Sequence, residues 1–341
     1  MKSRYDKARG GGVAIRKSES DWTTDMAIRA AWMSFVGGAT QGEIADRLGV
    51  SSAKVHRLIA HAQREGLVRF RVEGRPTDCL ELEDEISAAF GLSSCLIAPA
   101  LGPCDEQSAI GAVAEVASQH LANLLSNASV TRIGVGMGRT LKATVEAMPR
   151  IQRPDLSVIS ISGSLTRKLS ANPFDVVQQM VERTGGEGYY LPVPYLAESI
   201  AEKDMFLKQK SVQSMLELAR KSDVFVIGIG SIEDEGHLVR RGLISAEEQD
   251  KLRRDRACGD LMGRFVDIGG NLVPNALGEQ AVGLHFDEVR GRRVIALVGG
   301  DGKRNATLAA LRTGVITDLV LDEQLARGLS GELSGRKLKT A

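Results

Sequence analysis

Between residues 40 and 65 the apolar positions recur at helical spacing, break once at a glycine, and resume, which predicts two short helices joined by a tight turn. In the first, Ile44, Ala45 and Leu48 share a face. Thr40 with Glu43 three residues on forms the capping-box pattern that starts a helix. Gly49 takes the positive φ of a sharp turn without steric cost, and Ser51 and Ser52 offer hydroxyls for the next cap. In the second helix Val55, Leu58 and Ile59 form the buried stripe, which leaves Ser52, Ala53, Lys54, His56 and Arg57 on the outer face. Small and basic residues at a helix N-terminus suit the major groove of DNA, where backbone approach is close and base edges accept hydrogen bonds. The candidate DNA contacts are therefore Gln41, Ser51, Ser52, Ala53, Lys54, His56 and Arg57. A plain helical hairpin is the alternative.

Residues 24–36 read as a further helix whose stripe is Ile28, Ala31, Trp32 and Phe35, ended by Gly37 and Gly38 and placed to cover the pair. Residues 66–72 alternate apolar and polar, the pattern of a strand in a small wing. The chain up to about Asp21 is polar, with three consecutive glycines from Gly10, and reads as a disordered arm. The expected organisation is an arm over 1–22, a winged helix-turn-helix over 23–76, and an effector and oligomerisation domain over 77–341.

Beyond residue 77 strand and helix patterns alternate. Strand-like runs cover 94–98, 130–135, 156–160, 189–193, 224–229, 294–298 and 318–321. Helix-like runs cover 80–90, 107–126, 141–148, 174–184, 205–221, 246–254 and 306–313. The longest is amphipathic, with Ile110, Val113, Val116, Leu121, Leu124 and Leu125 on its buried side. Such alternation predicts an α/β fold, a doubly wound parallel sheet with helices on both faces, whose ligands bind beyond the carboxyl ends of the strands.

Four glycine-rich loops fall at such ends. Gly134-Val-Gly-Met-Gly-Arg-Thr140 stands between a strand and a helix, so its amides and the helix dipole suit a phosphate, with Arg139 and Thr140 adding a charge and a hydroxyl. It is not the dinucleotide fingerprint, because Arg139 stands where the last glycine would be. Ile161-Ser-Gly-Ser164 follows the next candidate strand, and Gly228-Ile-Gly-Ser231 ends the one that begins after Asp223. Gly299-Gly-Asp-Gly-Lys303 fails as a Walker A loop, since Leu297 replaces its first glycine and Arg304 its hydroxyl residue. Each alone reads equally as an ordinary βα turn; together, two of them with adjacent cations, they point to a small anionic ligand. Asp260 and Asp267 offer carboxylates to polyol hydroxyls, or else a cap and a solvated charge. Lys142 and Lys303 are point charges beside the loops, Lys142 the weaker as a helix-surface lysine, while His237 and His285 lack metal-ligand spacing.

Composition sharpens this picture in two ways. At 341 residues with 43% hydrophobic and 26% charged residues the chain has the balance of a soluble globular protein of two domains. Its net charge of +1 hides an asymmetry: 14 Lys and Arg against 8 Asp and Glu up to Pro76, then 30 against 35. A basic module ahead of an acidic one fits phosphate attraction at the front. No apolar run approaches a membrane span, the N-terminus lacks a secretory signal, and the four cysteines show no C-x-x-C spacing. A cytoplasmic protein with no metal, no cofactor and no membrane contact is the expectation.

The motifs AQREGLVRFRV, GVGMGRTL, DVFVIGIGS, GDLMGRFVDIGG and ALVGGDGKRNATLAALRTGVITDLVLDE, in that order, resemble the SorC family of bacterial sugar-responsive transcriptional regulators, also grouped under a DeoR-like name. The resemblance covers about residues 26–329. It implies an effector domain with the fold shared by phosphosugar isomerases and glucosamine-6-phosphate deaminase, assembly as a dimer or tetramer on operator DNA, and control by a sugar, polyol or sugar phosphate. It carries phosphate-binding roles to Gly138, Arg139 and Thr140, with Lys303 closing the site, and sets Asp260 in a ligand-facing stretch. With the loop positions Gly136, Gly163, Ser164 and Gly230, these are the candidate effector contacts. Ser162-Gly163-Ser164-Leu165 departs from the Gly-Gly-Leu-Gly common in the family. The rival is a phosphosugar isomerase or deaminase with an accessory DNA module. Asp260, Asp267 and Glu233 are available to it, but spacing assembles no acid–base constellation, so no catalytic residue is assigned.

Overall fold

The computed structural model describes residues 19–68, 74–100, 102, 105–164, 176–233, 238 and 244–340. The chain divides into two compact units, Met1–Gly74 and Arg75–Ala341.

In the first unit, α1 (Glu19–Ala31) continues into a π-helical turn (Trp32–Val36), followed by α2 (Gln41–Leu48) and α3 (Ser52–Arg64). Thr40 and Glu43 close the expected capping box: the Glu43 amide donates to Thr40 Oγ1 at 3.4 Å and the Thr40 amide to Glu43 Oε2 at 2.8 Å. Gly49 ends α2 at φ 64°, and Ser51 Oγ caps α3 by accepting from the Lys54 amide at 3.3 Å.

The face of α1 differs from the expected one, and the helix starts earlier than residue 24. Its core residues are Ala27, Ala30 and Ala31, packed with Ile44, Ala45, Val55, Leu58 and Ala62. Of the expected stripe only Ala31 is buried; Ile28, Trp32 and Phe35 are exposed, Trp32 by 61%. Alanines let the α1 and α3 backbones approach closely. The π turn, in which the Gly37 amide donates to Trp32 O, inserts a residue and rotates the larger side chains off that face. The wing strand expected over 66–72 lies mostly outside the described residues.

The second unit opens with α4 (Thr77–Phe90) and contains a seven-stranded sheet. Its strands are β1 (Ser94–Ala98), β2 (Arg132–Val135), β3 (Ser157–Ser160), β4 (Glu187–Tyr189), β5 (Val224–Gly228), β9 (Arg293–Val298) and β10 (Asp318–Asp322). All pairs are parallel, in the order β1-β10-β9-β5-β2-β3-β4. The period-2 alternation of strand side chains divides the core between the two faces. Phe225 and Ile227 of β5 pack on one face with α4, α9 (Lys210–Arg220), α10 (Arg304–Arg312) and α11 (Glu323–Thr340). Val224 and Val226 pack on the other with α5 (Glu106–Leu125), α6 (Arg139–Ala147) and α7 (Val177–Thr184).

The structure departs from the sequence pattern most at β4, at the helix expected over 205–221 and in a second sheet. β4 precedes the expected run: Leu191 and Val193 are buried, but in a connection whose Val193 carbonyl accepts from the Ser164 amide. The helix expected over 205–221 is two, α8 (Ile200–Lys208) and α9, separated at Gln209, whose ψ of 132° is extended. A second sheet also stands where the sequence pattern shows no strands, with β6 (Gly230–Ser231), β7 (Ala257–Leu261) and β8 (Arg264–Asp267) antiparallel. Its two-residue hairpin loop is Met262-Gly263, with φ of 54° and 78°. Hairpins with two positive φ values usually announce themselves by Asn-Gly or Asp-Gly, and methionine hides this one.

Candidate functional site

β2 and β5 are neighbours, yet the chain leaves β2 toward β3 on one side and the sheet continues from β5 to β9 on the other. This is a topological switch point, and the loops after the two strands part to leave a crevice there. A cavity of about 800 Å³ occupies it, walled by the loops after β2, β5 and β9, the first turn of α5, and β7.

The β2 loop contributes Gly136, Met137, Gly138, Arg139 and Thr140. The Gly136 amide is held by the Val226 carbonyl at 2.9 Å, which ties the loop to β5. Gly138 precedes α6 at φ 143°, a conformation that disfavours any side chain, and no side chain caps the helix behind it. The first amides of α6 are therefore left for a ligand, and the helix dipole favours an anion there. Thr140 is buried, and its Oγ1 has no hydrogen-bond partner among the described residues. A buried unpaired hydroxyl costs stability unless something meets it.

Two cations flank this position. Arg139 makes a bidentate pair with Glu106 of α5, Nη1 donating to Oε2 at 2.7 Å and Nη2 to Oε1. Lys303 lines the cavity from the loop after β9. Burial of its ammonium, reinforced by the Arg139 charge and opposed by Glu106 and Asp322, holds its pKa down at about 8. The Gly300 amide donates to Asp322 Oδ2 at 2.7 Å, which fixes the loop carrying Lys303.

Asp260 reaches the cavity from β7, opposite Gly230 in register. A Cβ on Gly230 would lie 2.9 Å from that of Asp260, so glycine there admits the carboxylate. Burial pushes the Asp260 pKa up to about 6, against the lowering effects of the Gly263 amide, the Arg264 charge and the Tyr195 hydroxyl. Tyr195, itself in the lining, lies beside Asp260, and its own pKa lies far above the ordinary phenol value through desolvation and the adjacent carboxylate. Met137, Ile227, Ile229, Leu238, Met262 and Leu297 supply apolar wall, as small-ligand pockets generally do.

Gly136, Gly138, Arg139, Thr140, Gly230, Asp260 and Lys303 are thus brought together as the sequence led one to expect. Gly163 and Ser164 are not: the lining passes through Ile161 and Ser162 instead. The Gly163 amide donates to Val282 O and the Ser164 amide to Val193 O, so this segment is spent on joining loops to the sheet, and a Cβ on Gly163 would overlap the Pro194 and Val193 carbonyl oxygens. Asp267 is consumed by its own turn, accepting from the amides of Gly269 at 2.8 Å and Asn271 at 2.9 Å. Lys142 pairs with Glu146 along α6 at 3.3 Å, as a helix-surface lysine does, and His285 caps a short 3₁₀ turn. His237 lies outside the described residues. Glu106 and Tyr195 were missed because nothing local marks them: each is brought to the loops by packing from a distant part of the chain.

In the first unit Gln41, Ser51, Ser52, Ala53, His56 and Arg57 are exposed and Lys54 is half-buried. Ser51 spends its hydroxyl on the α3 cap. The Lys54 ammonium lies 4.6 Å from the ring centre of Trp22, a cation–π contact that steers it along the front of α3. Trp22, 44% exposed, belongs to α1, although the sequence pattern consigned it to a disordered arm.

Comparisons with known proteins agree with this division. The Sugar-bind family model, a sugar-binding domain, matches residues 74–329, and a MarR family model matches 31–76. The chain is 33% identical over 317 residues to the erythritol catabolism regulatory protein EryD of Brucella abortus (strain 2308), covering 93% of this chain and 100% of that protein. It is 27% identical over 331 residues to the transcriptional regulator LsrR of Enterobacter sp. (strain 638), covering 95% and 96% of the two chains. The full-length sorbitol operon regulator SorC from Klebsiella pneumoniae superposes with a TM-score of 0.71 at 24% identity, over 89% of this chain and 98% of that one, and shares the fold.

Proposed function

Because the chain belongs to the Sugar-bind family of transcriptional regulators and carries a helix-turn-helix ahead of that domain, we propose that it controls a sugar or polyol catabolic operon, with operator affinity set by a phosphorylated sugar or polyol in the cavity. One convergence carries the reading. Thr140 with its unpartnered hydroxyl, the uncapped N-terminus of α6 and Lys303 line the same cavity as the Asp260–Tyr195 pair. The first group matches a phosphate, which takes backbone amides, a hydroxyl and a point charge together. The second matches ligand hydroxyls, since a carboxylate accepts from a diol while the phenol holds its orientation.

Operator contact comes from Gln41 and from the outer face of α3, Ser52 to Arg57, with phosphates supplying affinity and base edges specificity. Homo-oligomers, dimeric or tetrameric, in the cytoplasm are the working form, since paired reading heads match paired half-sites. The ligand alters operator binding only through unequal affinity for the DNA-competent and DNA-incompetent arrangements.

The test is a thermal-shift panel of free and phosphorylated short polyols and sugars on the full chain, followed by operator titration with each ligand that raises the midpoint. The reading requires at least one phosphorylated ligand that does both. Stabilisation by none of them, or stabilisation without a change in operator affinity, counts against it. Turnover of a sugar phosphate would favour the enzyme reading instead.

A further inference from the structure

The guanidinium of Arg139 is already engaged. Glu106 takes two of its N–H groups in parallel, through Nη1 at 2.7 Å and through Nη2, the fork geometry that carboxylates and phosphates share. The two side chains arise in the first turns of α5 and α6, and both line the cavity. Neither is sealed in protein: their side chains are 26% and 36% exposed, so water and solutes reach the pair. Gly300, at φ 102°, crosses beside Glu106, where a Cβ would stand 3.3 Å from its Cγ, and glycine there leaves the carboxylate stem room.

The rest of the anion position is unspent, with the uncapped α6 N-terminus and the unpartnered Thr140 hydroxyl beside Lys303. Arg139, by contrast, is held by a carboxylate through two parallel bonds. Building on the assignment of this cavity to a phosphorylated ligand, we propose that Glu106 is an internal competitor for Arg139: it holds the guanidinium until a doubly charged phosphate takes its place, and so selects phosphate esters over neutral or singly charged ligands.

The selectivity follows from charge. Exchanging one carboxylate for another on Arg139 gains nothing, and a neutral polyol cannot displace Glu106 at all. A phosphate monoester carries roughly −1.5 to −2 near neutrality and three acceptor oxygens. It can satisfy Arg139, Thr140 and the α6 amides at once, which offsets the loss of the Glu106 pair.

The experiment is calorimetric titration of the full chain with inorganic phosphate and, separately, with acetate, for the wild type, Glu106→Gln and Glu106→Ala. The wild type is expected to prefer phosphate. Both substitutions are expected to tighten phosphate on the order of tenfold, the scale of one charge-assisted hydrogen bond, and to make acetate binding measurable. Phosphate affinity that is unchanged or weakened in Glu106→Gln overturns the proposal, for Glu106 then orients Arg139 rather than competing for it. A wild type that binds acetate as tightly as phosphate overturns it with no substitution at all. Lys303→Met distinguishes the underlying assignment: if it leaves wild-type phosphate affinity intact, the anion site itself is misassigned, whatever the Glu106 variants do.

Discussion

The Tyr195 hydroxyl faces the Asp260 carboxylate in the cavity wall, setting the connection after β4 against the small antiparallel sheet. Desolvation raises the Asp260 pKa from 3.8 to about 6, so the native state binds a proton there that the unfolded chain has released. Between these values stability falls as pH rises, and above about 6 the ionised carboxylate carries its full desolvation cost. Asp260→Asn should therefore be more stable than the wild type at pH 7, by about 1–3 kcal/mol. The difference should vanish as pH falls toward 4. Melting curves across that window check it; a gap that widens on acidification would refute the assignment of cause. The same variant should lose the response to polyol ligands.

Lys303 titrates in the opposite sense. Its pKa is lowered from 10.5 to about 8, so its charge, and with it anion affinity, is lost as pH rises through about 8. Sulfate is a suitable probe because it does not itself titrate there. Sulfate affinity should be flat up to pH 7 and fall above 8 in the wild type, and Lys303→Met should be weak and flat throughout. Operator binding without ligand should be unchanged in that variant.

Thr140→Val separates binding from stability. Its hydroxyl has no partner among the described residues, so an apolar isostere should leave the melting midpoint unchanged or slightly higher, within about 1 kcal/mol. Effector affinity should fall on the order of tenfold if a ligand oxygen is the missing partner. A large loss of stability without loss of affinity would make the hydroxyl structural.

Gly163→Ala checks the correction to the expected site. The added methyl would overlap the Pro194 and Val193 carbonyls, so destabilisation of about 2 kcal/mol or more is expected from overpacking. Ligand affinity of the folded fraction should stay at the wild-type value. Selective loss of affinity at full stability would return Gly163 to the ligand.

Arg57→Ala should weaken operator binding and lower the slope of log affinity against log salt by about 1, as removal of one phosphate contact does. Trp22→Ala should reduce operator affinity a few-fold by releasing Lys54, while Trp22→Phe retains most of it because the ring still offers a face to the ammonium. Anisotropy titrations at several salt concentrations measure both.

Sequence alone determined what local spacing can carry. The capping box at Thr40, the positive φ of Gly49 and the apolar stripe of α3 are all interactions within a few residues, and all are found where the pattern put them. Period-2 strands alternating with helices fixed the doubly wound class, and glycines after β2, β5 and β9 located the cavity. What needed the tertiary structure was every relationship between distant segments. The alanine face of α1 depends on how closely α3 approaches and on a π turn that shifts helical phase. Gly163 and Ser164 follow a strand end as ligand loops do, but their amides are taken by the distant carbonyls of Val282 and Val193. Glu106 and Arg139 are 33 residues apart, and Tyr195 and Asp260 further still; no local pattern encodes such pairs, because packing of the intervening elements alone decides which side chains meet.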